Sequence, residues 1–235
     1  MTIHAPDPAT KAATLMVGPA AFVADAAGAL WHEDDRILIV SDLHLEKGSA
    51  FARRGSLLPP FDSRETLARL AGLVARYEPR ALVSLGDTLH DRDAMGRIAQ
   101  EDAAALDAAL SGVERIWITG NHDPEIPPGL GGAVVAEIAI GEVVFRHEPS
   151  ASADGLEVAG HLHPAAKVRM RGRAVRKRCF VSDGRRCVMP AFGAYAGGLN
   201  VLDAAFRPLF AGSFTARLLG GERVYAVDRR MLVAD

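Results

Sequence analysis

The sequence predicts an α/β protein that opens on a parallel sheet and closes in further β structure. Three observations predict it. Ile37-Leu38-Ile39-Val40, Ala81-Leu82-Val83-Ser84-Leu85 and Arg115-Ile116-Trp117-Ile118-Thr119 are largely apolar runs without alternation, as in strands buried on both faces. Helical patterns lie between them, and a β-α-β-α-β order is a parallel-sheet signature. After Pro127-Pro128 the helical patterns stop, and short strand candidates separated by Gly or Asp-Gly take over.

In chain order, residues 1–13 read as a polar tail and 14–235 as one domain, since no low-complexity linker or internal repeat divides them. Residues 15–17, 20–24 and 29–31 are short strand candidates before the run at 37–40. Residues 46–61 form a connection longer than usual for a βα unit, a length often tied to function. Asp62, with Glu65 three residues on, starts a helix as a capping box whose apolar face is Leu67, Leu70, Leu73 and Val74. A helix of about 15–18 residues is expected over 93–110. Residues 134–140 and 142–146 read as a hairpin about Gly141. Further strands are expected at 156–159, 166–170, 178–181, 186–189, 199–202, 208–211 and 223–227, forming a second sheet packed on the first.

Composition sets the class. With 49% hydrophobic and 24% charged residues, the chain is an ordinary globular one whose core needs no disulfide. Its two cysteines, Cys179 and Cys187, flank Asp183-Gly184, where a hairpin would bring them near each other; two incidental thiols in an intracellular chain is the simpler reading. There is no C-x-x-C pair to suggest a thiolate zinc site. The N-terminus has no apolar signal region, and no run approaches the ~20 apolar residues needed to span a bilayer. The expectation is a cytoplasmic protein without a membrane partner.

The chemistry lies in the histidines. Of the 8 in the chain, His44, His90, His122, His147, His161 and His163 sit in five short motifs, each just after a predicted strand. The motifs are Asp42-Leu43-His44, Gly86-Asp87-Thr88-Leu89-His90-Asp91, Gly120-Asn121-His122-Asp123, Arg146-His147-Glu148-Pro149 and Gly160-His161-Leu162-His163-Pro164. Ligands bind at the C-terminal ends of strands in open α/β sheets. One D-x-H at a strand end is commonly an ordinary polar turn, but scattered core or surface histidines would not gather this way. Carboxylate, amide and imidazole donors without thiolate suit Mn, Fe, Zn or Ni. Two such ions sharing a carboxylate lie about 3.5–4 Å apart and can clamp a phosphoryl group.

In order and spacing these motifs resemble the calcineurin-like metallophosphoesterase superfamily over residues 37–165. The resemblance implies a four-layer sandwich of two mixed β-sheets flanked by helices. It implies two divalent ions, Mn first among them: Asp42, His44, Asp87 and His163 would hold one, and Asp87, Asn121, His147 and His161 the other. His122 would contact the substrate phosphate and protonate the leaving oxygen, and Asp123 would orient His122. Two departures stand out. His90 occupies the outer position where the pattern has Asp, so it would replace that carboxylate or act on substrate, and Arg146 precedes His147 where Gly is commoner.

A narrower resemblance extends to about residue 202. Leu45-Glu46-Lys47-Gly48, Arg53-Arg54-Gly55, Leu58-Pro59-Pro60-Phe61-Asp62, Met189-Pro190-Ala191-Phe192-Gly193 and Gly197-Gly198-Leu199-Asn200 are similar to the ligase-associated DNA-damage-response endonuclease branch. That branch implies a metal-dependent nuclease or phosphodiesterase linked to DNA repair, with a ligase and a helicase as possible partners. Attack in line by a hydroxide activated on the dinuclear centre is the mechanism it suggests. Residues themselves add a basic stretch: Lys167, Arg169, Arg171, Arg173, Arg176, Lys177 and Arg178, with no acid among 167–178, leave directly from His163. Arg53 and Arg54 form a second basic pair at the same edge. Arg53, Arg54, His90, Arg169, Arg171 and Arg173 are therefore candidate contacts to a DNA backbone. Alternating Arg is equally what a solvated strand face looks like. A small-molecule phosphatase or nucleotide pyrophosphatase would use the same centre, and a non-catalytic protein-binding module would keep the fold alone.

Overall fold

Leu38 and Ile39 are adjacent in the strand Ile37–Val40 and both are fully buried, so the strand must be covered on both faces. The computed structural model describes residues 13–56, 58–152, 154–170 and 172–235, and it shows what covers them. The expected tail lies outside these residues but for its last position.

The first sheet has 7 strands in sequential order: β1 (Thr14–Val17), β2 (Ala20–Ala24), β3 (Leu30–His32), β4 (Ile37–Val40), β5 (Ala81–Leu85), β6 (Glu114–Ile118) and β7 (Ala133–Val135). Pairs from β1 to β4 are antiparallel, and those from β4 to β7 parallel. The second sheet has 9 strands: β8 (Glu137–Ile140), β9 (Val143–Arg146), β10 (Leu156–Ala159), β11 (Pro164–Met170), β12 (Arg173–Ser182), β13 (Arg186–Val188), β14 (Leu199–Asn200), β15 (Thr215–Leu219) and β16 (Val224–Asp228). It too is mixed, with β10 parallel to both β9 and β13 and β11 antiparallel to β12.

Ile39, Val83, Ile116 and Ile118 from the first sheet meet Phe145, Val158, Phe180 and Met189 from the second in one core between the sheets. The opposite face of the first sheet, Leu38, Val40, Leu82 and Trp117, is covered by α2 (Asp62–Tyr77) through Leu67, Leu70 and Leu73 and by α3 (Gln100–Ala109) through Leu106. Each such leucine contributes about 1.5–3 kcal/mol by leaving water. Val201, Phe206, Phe210 and Phe214 cover the outer face of the second sheet. This is the expected mixed two-sheet sandwich.

Local expectations fare unevenly. The connection after β4 is not a plain loop: it contains α1 (Lys47–Arg53). Asp62 does not cap its own helix. Its carboxylate accepts the Gly48 N–H at 3.0 Å, and Ser63 Oγ accepts the Glu46 N–H at 2.8 Å, so α1 is fastened to the start of α2. The long helix over 93–110 is two pieces, a short 3-10 turn (Ala94–Gly96) and α3, because Ala99 takes an extended conformation between them. The span 134–140 divides between the two sheets, and only β8 pairs with β9 in a hairpin. Residues 208–211 form no strand, while β15 was not foreseen. Cys179 and Cys187 are free and buried on opposite faces of their sheet. No helix among the described residues is long and apolar enough to cross a membrane.

Candidate active site

The C-terminal ends of β4, β5, β6, β9 and β10 converge on one edge of the sandwich, and the chain bends sharply there. Asp42, His44, Asp87, His161 and His163 all have left-handed backbones, with φ of 53°, 46°, 47°, 69° and 47°. Such a conformation in a residue with a Cβ costs on the order of 1–3 kcal/mol, and concentrated strain of this kind marks functional sites. The bends turn side chains from both sheets toward one point. Beyond the sheet the β4 and β5 loops stay paired, with the His44 N–H donating to Asp87 O at 2.8 Å and the Leu45 N–H to Thr88 O at 2.9 Å.

The glycines before the ligands have a steric role. A Cβ on Gly120 would sit 2.2 Å from Asp87 Oδ1, and one on Gly160 would sit 1.9 Å from Ser41 Oγ. Only a residue without Cβ lets these turns close on the carboxylates.

Three donor groups result among the described residues. His44, His90 and His122 form one of imidazoles alone; Asp42, His44 and His163 place one ligand atom each within 4.8 Å of one another, as do Asp87, His147 and His161, and these two also hold a carboxylate. Asp87 Oδ2 lies between them, 3.8 Å from His44 Nε2 and 3.5 Å from His147 Nε2. Asn121 Oδ1 is 3.0 Å from His147 Nε2, joining the second group. Asp42 Oδ1 lies 3.1 Å from His163 Nε2. His44 Nε2 and His163 Nε2 face each other at 3.2 Å, and so do His161 Nδ1 and His147 Nε2. Lone pairs so opposed are relieved by a shared cation, so the donor set fits two divalent ions.

Surrounding groups set the ligands' protonation and aim. The His147 Nδ1–H donates to Leu85 O at 2.9 Å, which leaves Nε2 with its lone pair toward Asp87. Burial pushes the His44 imidazole down to about 2 and lowers His161, with His147 adding to the latter, so both are neutral donors. Burial alone would raise Asp42, but the hydrogen bond and charge of His163, then His147 and His44, hold it at about 2. Asp87 is raised, chiefly by burial.

His122 stands beside this pair of groups. Its Nδ1–H donates to His90 O at 2.8 Å, leaving Nε2 for a ligand, and its backbone N–H donates to Asp87 Oδ1 at 2.9 Å. Asp123 does not orient it. The fully buried Asp123 carboxylate is occupied by three backbone donors: Asp87 N–H and Gly120 N–H at 3.0 and 3.1 Å, and Leu89 N–H at 3.0 Å. It clamps the β5 and β6 loops together, and burial raises its pKa to about 6 despite those bonds. His90 lies against both neighbours, its ring stacked on His122 at 5.1 Å and its Nδ1 3.5 Å from His44 Nδ1. Burial, then the His122 charge, lowers it to about 4. Asp91 turns to Arg97, which chelates it at 2.9 and 2.8 Å.

The basic candidates part company. Arg54 lines the cavity of about 410 Å³ that holds His44, His122 and His163. Arg53 pairs with Asp93 at 3.2 Å and lines an adjoining cavity instead. Arg169 is exposed on β11, six residues beyond His163, hence about 20 Å along the strand. Arg173 is exposed where β12 begins, and Arg171 lies outside the described residues. Arg176 is tied to Asp235 and Gly198 O, and Arg178 donates to Ala191 O and Gly193 O. Among the described residues, the structure therefore does not bring Arg169, Arg173, Arg176 or Arg178 into the cavity of the His and Asp cluster. Sequence reading missed Lys47 and Arg92, which line the same cavity as Arg54. The signal for Lys47 was its position at i, i+4 and i+7 with Phe51 and Arg54, legible only once 47–53 is a helix.

A family model described as calcineurin-like phosphoesterase matches residues 35–183. Among solved structures, the Pseudomonas putida nuclease MPE is similar at TM-score 0.71 and 29% identity, covering 91% of this chain and 98% of its own. The phosphoesterase YfcE of E. coli is more distant, at TM-score 0.41 and 15% identity over 81% of this chain and 97% of its own. No curated protein sequence matches the chain.

Proposed function

The chain belongs to the calcineurin-like phosphoesterase family, and on that premise we propose that it is a metal-dependent phosphodiesterase acting on DNA, a nuclease of the cytoplasm. The observation that carries this reading is Asp87 Oδ2 standing between the Asp42-His44-His163 group and the Asp87-Asn121-His147-His161 group. One carboxylate shared by two groups of imidazoles is the arrangement a two-metal phosphoesterase needs. Similarity to a nuclease over nine-tenths of the chain supports the diester and nucleic-acid side of the proposal.

Asp42, His44, Asp87 and His163 would hold one ion and Asp87, Asn121, His147 and His161 the other, with Mn as the preferred metal. When bound, the ions supply Lewis-acid neutralisation of the phosphoryl oxygens and a water of lowered pKa. The protein's residues do the remainder. His122, fixed through its Nδ1–H on His90 O, presents Nε2 to the phosphate and, when protonated there as well, hands the Nε2 proton to the leaving alkoxide. Asp123 keeps the loops of Asp87 and Asn121 in register. A repair role beside a ligase and helicase is the biological setting proposed.

Assay of the purified protein with Mn, Fe, Zn and Ni tests this, using single-stranded and duplex DNA, RNA, a chromogenic diester and a chromogenic monoester. DNA and diester hydrolysis that Asn121→Ala abolishes is the expected result. Turnover confined to monoesters or free nucleotides would overturn it in favour of a small-molecule phosphatase.

A further inference from the structure

Lys47, Phe51 and Arg54 fall at i, i+4 and i+7 along α1 and its C-cap, so they share one stripe, and all three line the cavity of the metal-ligand cluster. Arg92, from the loop after His90, faces the same space. Arg54, Asp91 and Arg92 also line the adjoining cavity of about 530 Å³, so the two spaces run into each other.

The charge of this channel is not what its composition suggests. Both of its acids are already neutralised: Asp91 is chelated by Arg97, and Asp93 is paired with Arg53. Lys47, Arg54 and Arg92 have no carboxylate within 4.0 Å among the described residues. Arg54 and Arg92, with Lys47, whose charge is partly offset by the nearby Asp62 and Asp42 carboxylates, thus surround a concave path that starts at the candidate ligands. Between Lys47 and Arg54 stands the half-buried Phe51 ring, seated against His90 at 6.0 Å. Cation, aromatic and cation along about 10 Å of helix offer a stacking face for a base flanked by contacts for two phosphates, more than a single small anion would use.

Resting on the diesterase reading above, we infer that this stripe is a track for the single strand of nucleic acid leaving the metal centre. Lys47 takes a phosphate oxygen next to the scissile group, Phe51 stacks a base, and Arg54 with Arg92 takes the following phosphate. The channel would make a polynucleotide, with at least one phosphate beyond the one cleaved, the substrate class of this site.

The test compares an oligothymidylate of about ten nucleotides with a single-phosphate chromogenic diester, in wild type, Phe51→Ala and Arg54→Ala/Arg92→Ala. Expected is a loss of kcat/KM on the oligonucleotide that exceeds the loss on the diester at least about tenfold. Binding of the labelled oligonucleotide to metal-free protein supplies a readout apart from turnover. The slope of log K against log salt falls by about 0.7 in the double variant, from the one phosphate contact that Arg54 and Arg92 share on a single strand. Arg54→Lys/Arg92→Lys restores the slope, and Phe51→Ala weakens binding about 5- to 100-fold without changing it. Equal losses on both substrates, or an unchanged slope, overturn the track. If wild type cleaves no diester with any metal, the diesterase reading fails, and the salt slope still decides the track.

Discussion

Asp123 holds Asp87 by the backbone: Asp123 Oδ1 accepts the Asp87 N–H at 3.0 Å, while the side chain of Asp87 faces the other way, between the two ligand groups. The residue just after His122 therefore acts on a candidate metal ligand more than thirty positions upstream, through that residue's backbone.

That relationship makes a prediction about Asp123→Asn. The amide turns a donor toward at least one of three backbone N–H groups, so one clamp bond is replaced by a repulsive contact. Loosening the support behind a ligand typically costs about 10–100-fold in metal affinity. Calorimetric titration with Mn is expected to show that loss, with activity recovered at saturating metal. Normal affinity with low activity would mean that Asp123 serves His122 instead.

Metal stoichiometry separates the shared ligand from an unshared one. His163→Ala removes a donor from the first group only, and is expected to retain about one ion per chain against two for wild type. Asp87→Ala touches both groups and should retain fewer than His163→Ala, by elemental analysis after Mn loading and desalting. Saturating Mn should also raise wild-type stability, by about 2.7 kcal/mol for each ion bound at a hundred times its Kd, and this gain should vanish in Asp87→Ala.

Tyr77 gives a pH dependence far from the centre. Its hydroxyl donates to Asp25 Oδ2 at 2.7 Å, the oxygen that Arg76 also holds at 2.8 Å. Burial first, then the Asp25 hydrogen bond, push its pKa up to about 12. The folded state keeps this proton above the ordinary tyrosine pKa near 10, so the contribution is present below pH 10 and is lost as pH rises through 12. Urea midpoints measured from pH 9 to 12 should fall more steeply in wild type than in Tyr77→Phe.

What could be read in advance follows from where the information lies. Residues 37–40, 81–85 and 114–118 carry strand, burial and motif in one contiguous stretch, so the ends of the first two could be placed from the sequence and those of the third, expected at 115–119, to within one residue. The helix of Lys47–Arg53 is short, and its fasteners are Asp62 and Ser63 on the next helix, a tertiary arrangement that no local pattern reports. Asp123 is legible as part of Gly120-Asn121-His122-Asp123, but its partners are backbone amides, which have no sequence signature. The arginines after His163 read as one basic block, yet Arg176 and Arg178 are spent on a carboxylate and on carbonyl groups, and the extended strand carries Arg169 away from the ligands. Charge in sequence counts side chains; charge in a site counts those left unpaired.

Arg186 shows the same distinction at its strongest. In the sequence it lies eight residues beyond that basic run as one more surface-like arginine, but in the fold only 7% of it is exposed, and it is paired with Glu157, itself buried. Its guanidinium also donates to Leu209 O at 3.0 Å and to Ser150 O and Ser152 O at 2.8 Å each, while Glu157 Oε2 accepts the Ser150 N–H at 3.1 Å. The pair thereby fixes the loop that follows the ligand His147. Arg186→Met would leave the buried Glu157 carboxylate with only Arg146, 3.7 Å away, and would leave several carbonyls without their donor, a loss of up to about 3–5 kcal/mol. Glu157→Met/Arg186→Met removes the stranded charge, and should recover part of that loss in urea unfolding without restoring the order of residues 148–152. Hydrogen exchange at those amides, expected to be faster in both variants, separates the loop's dependence on Arg186 from global stability.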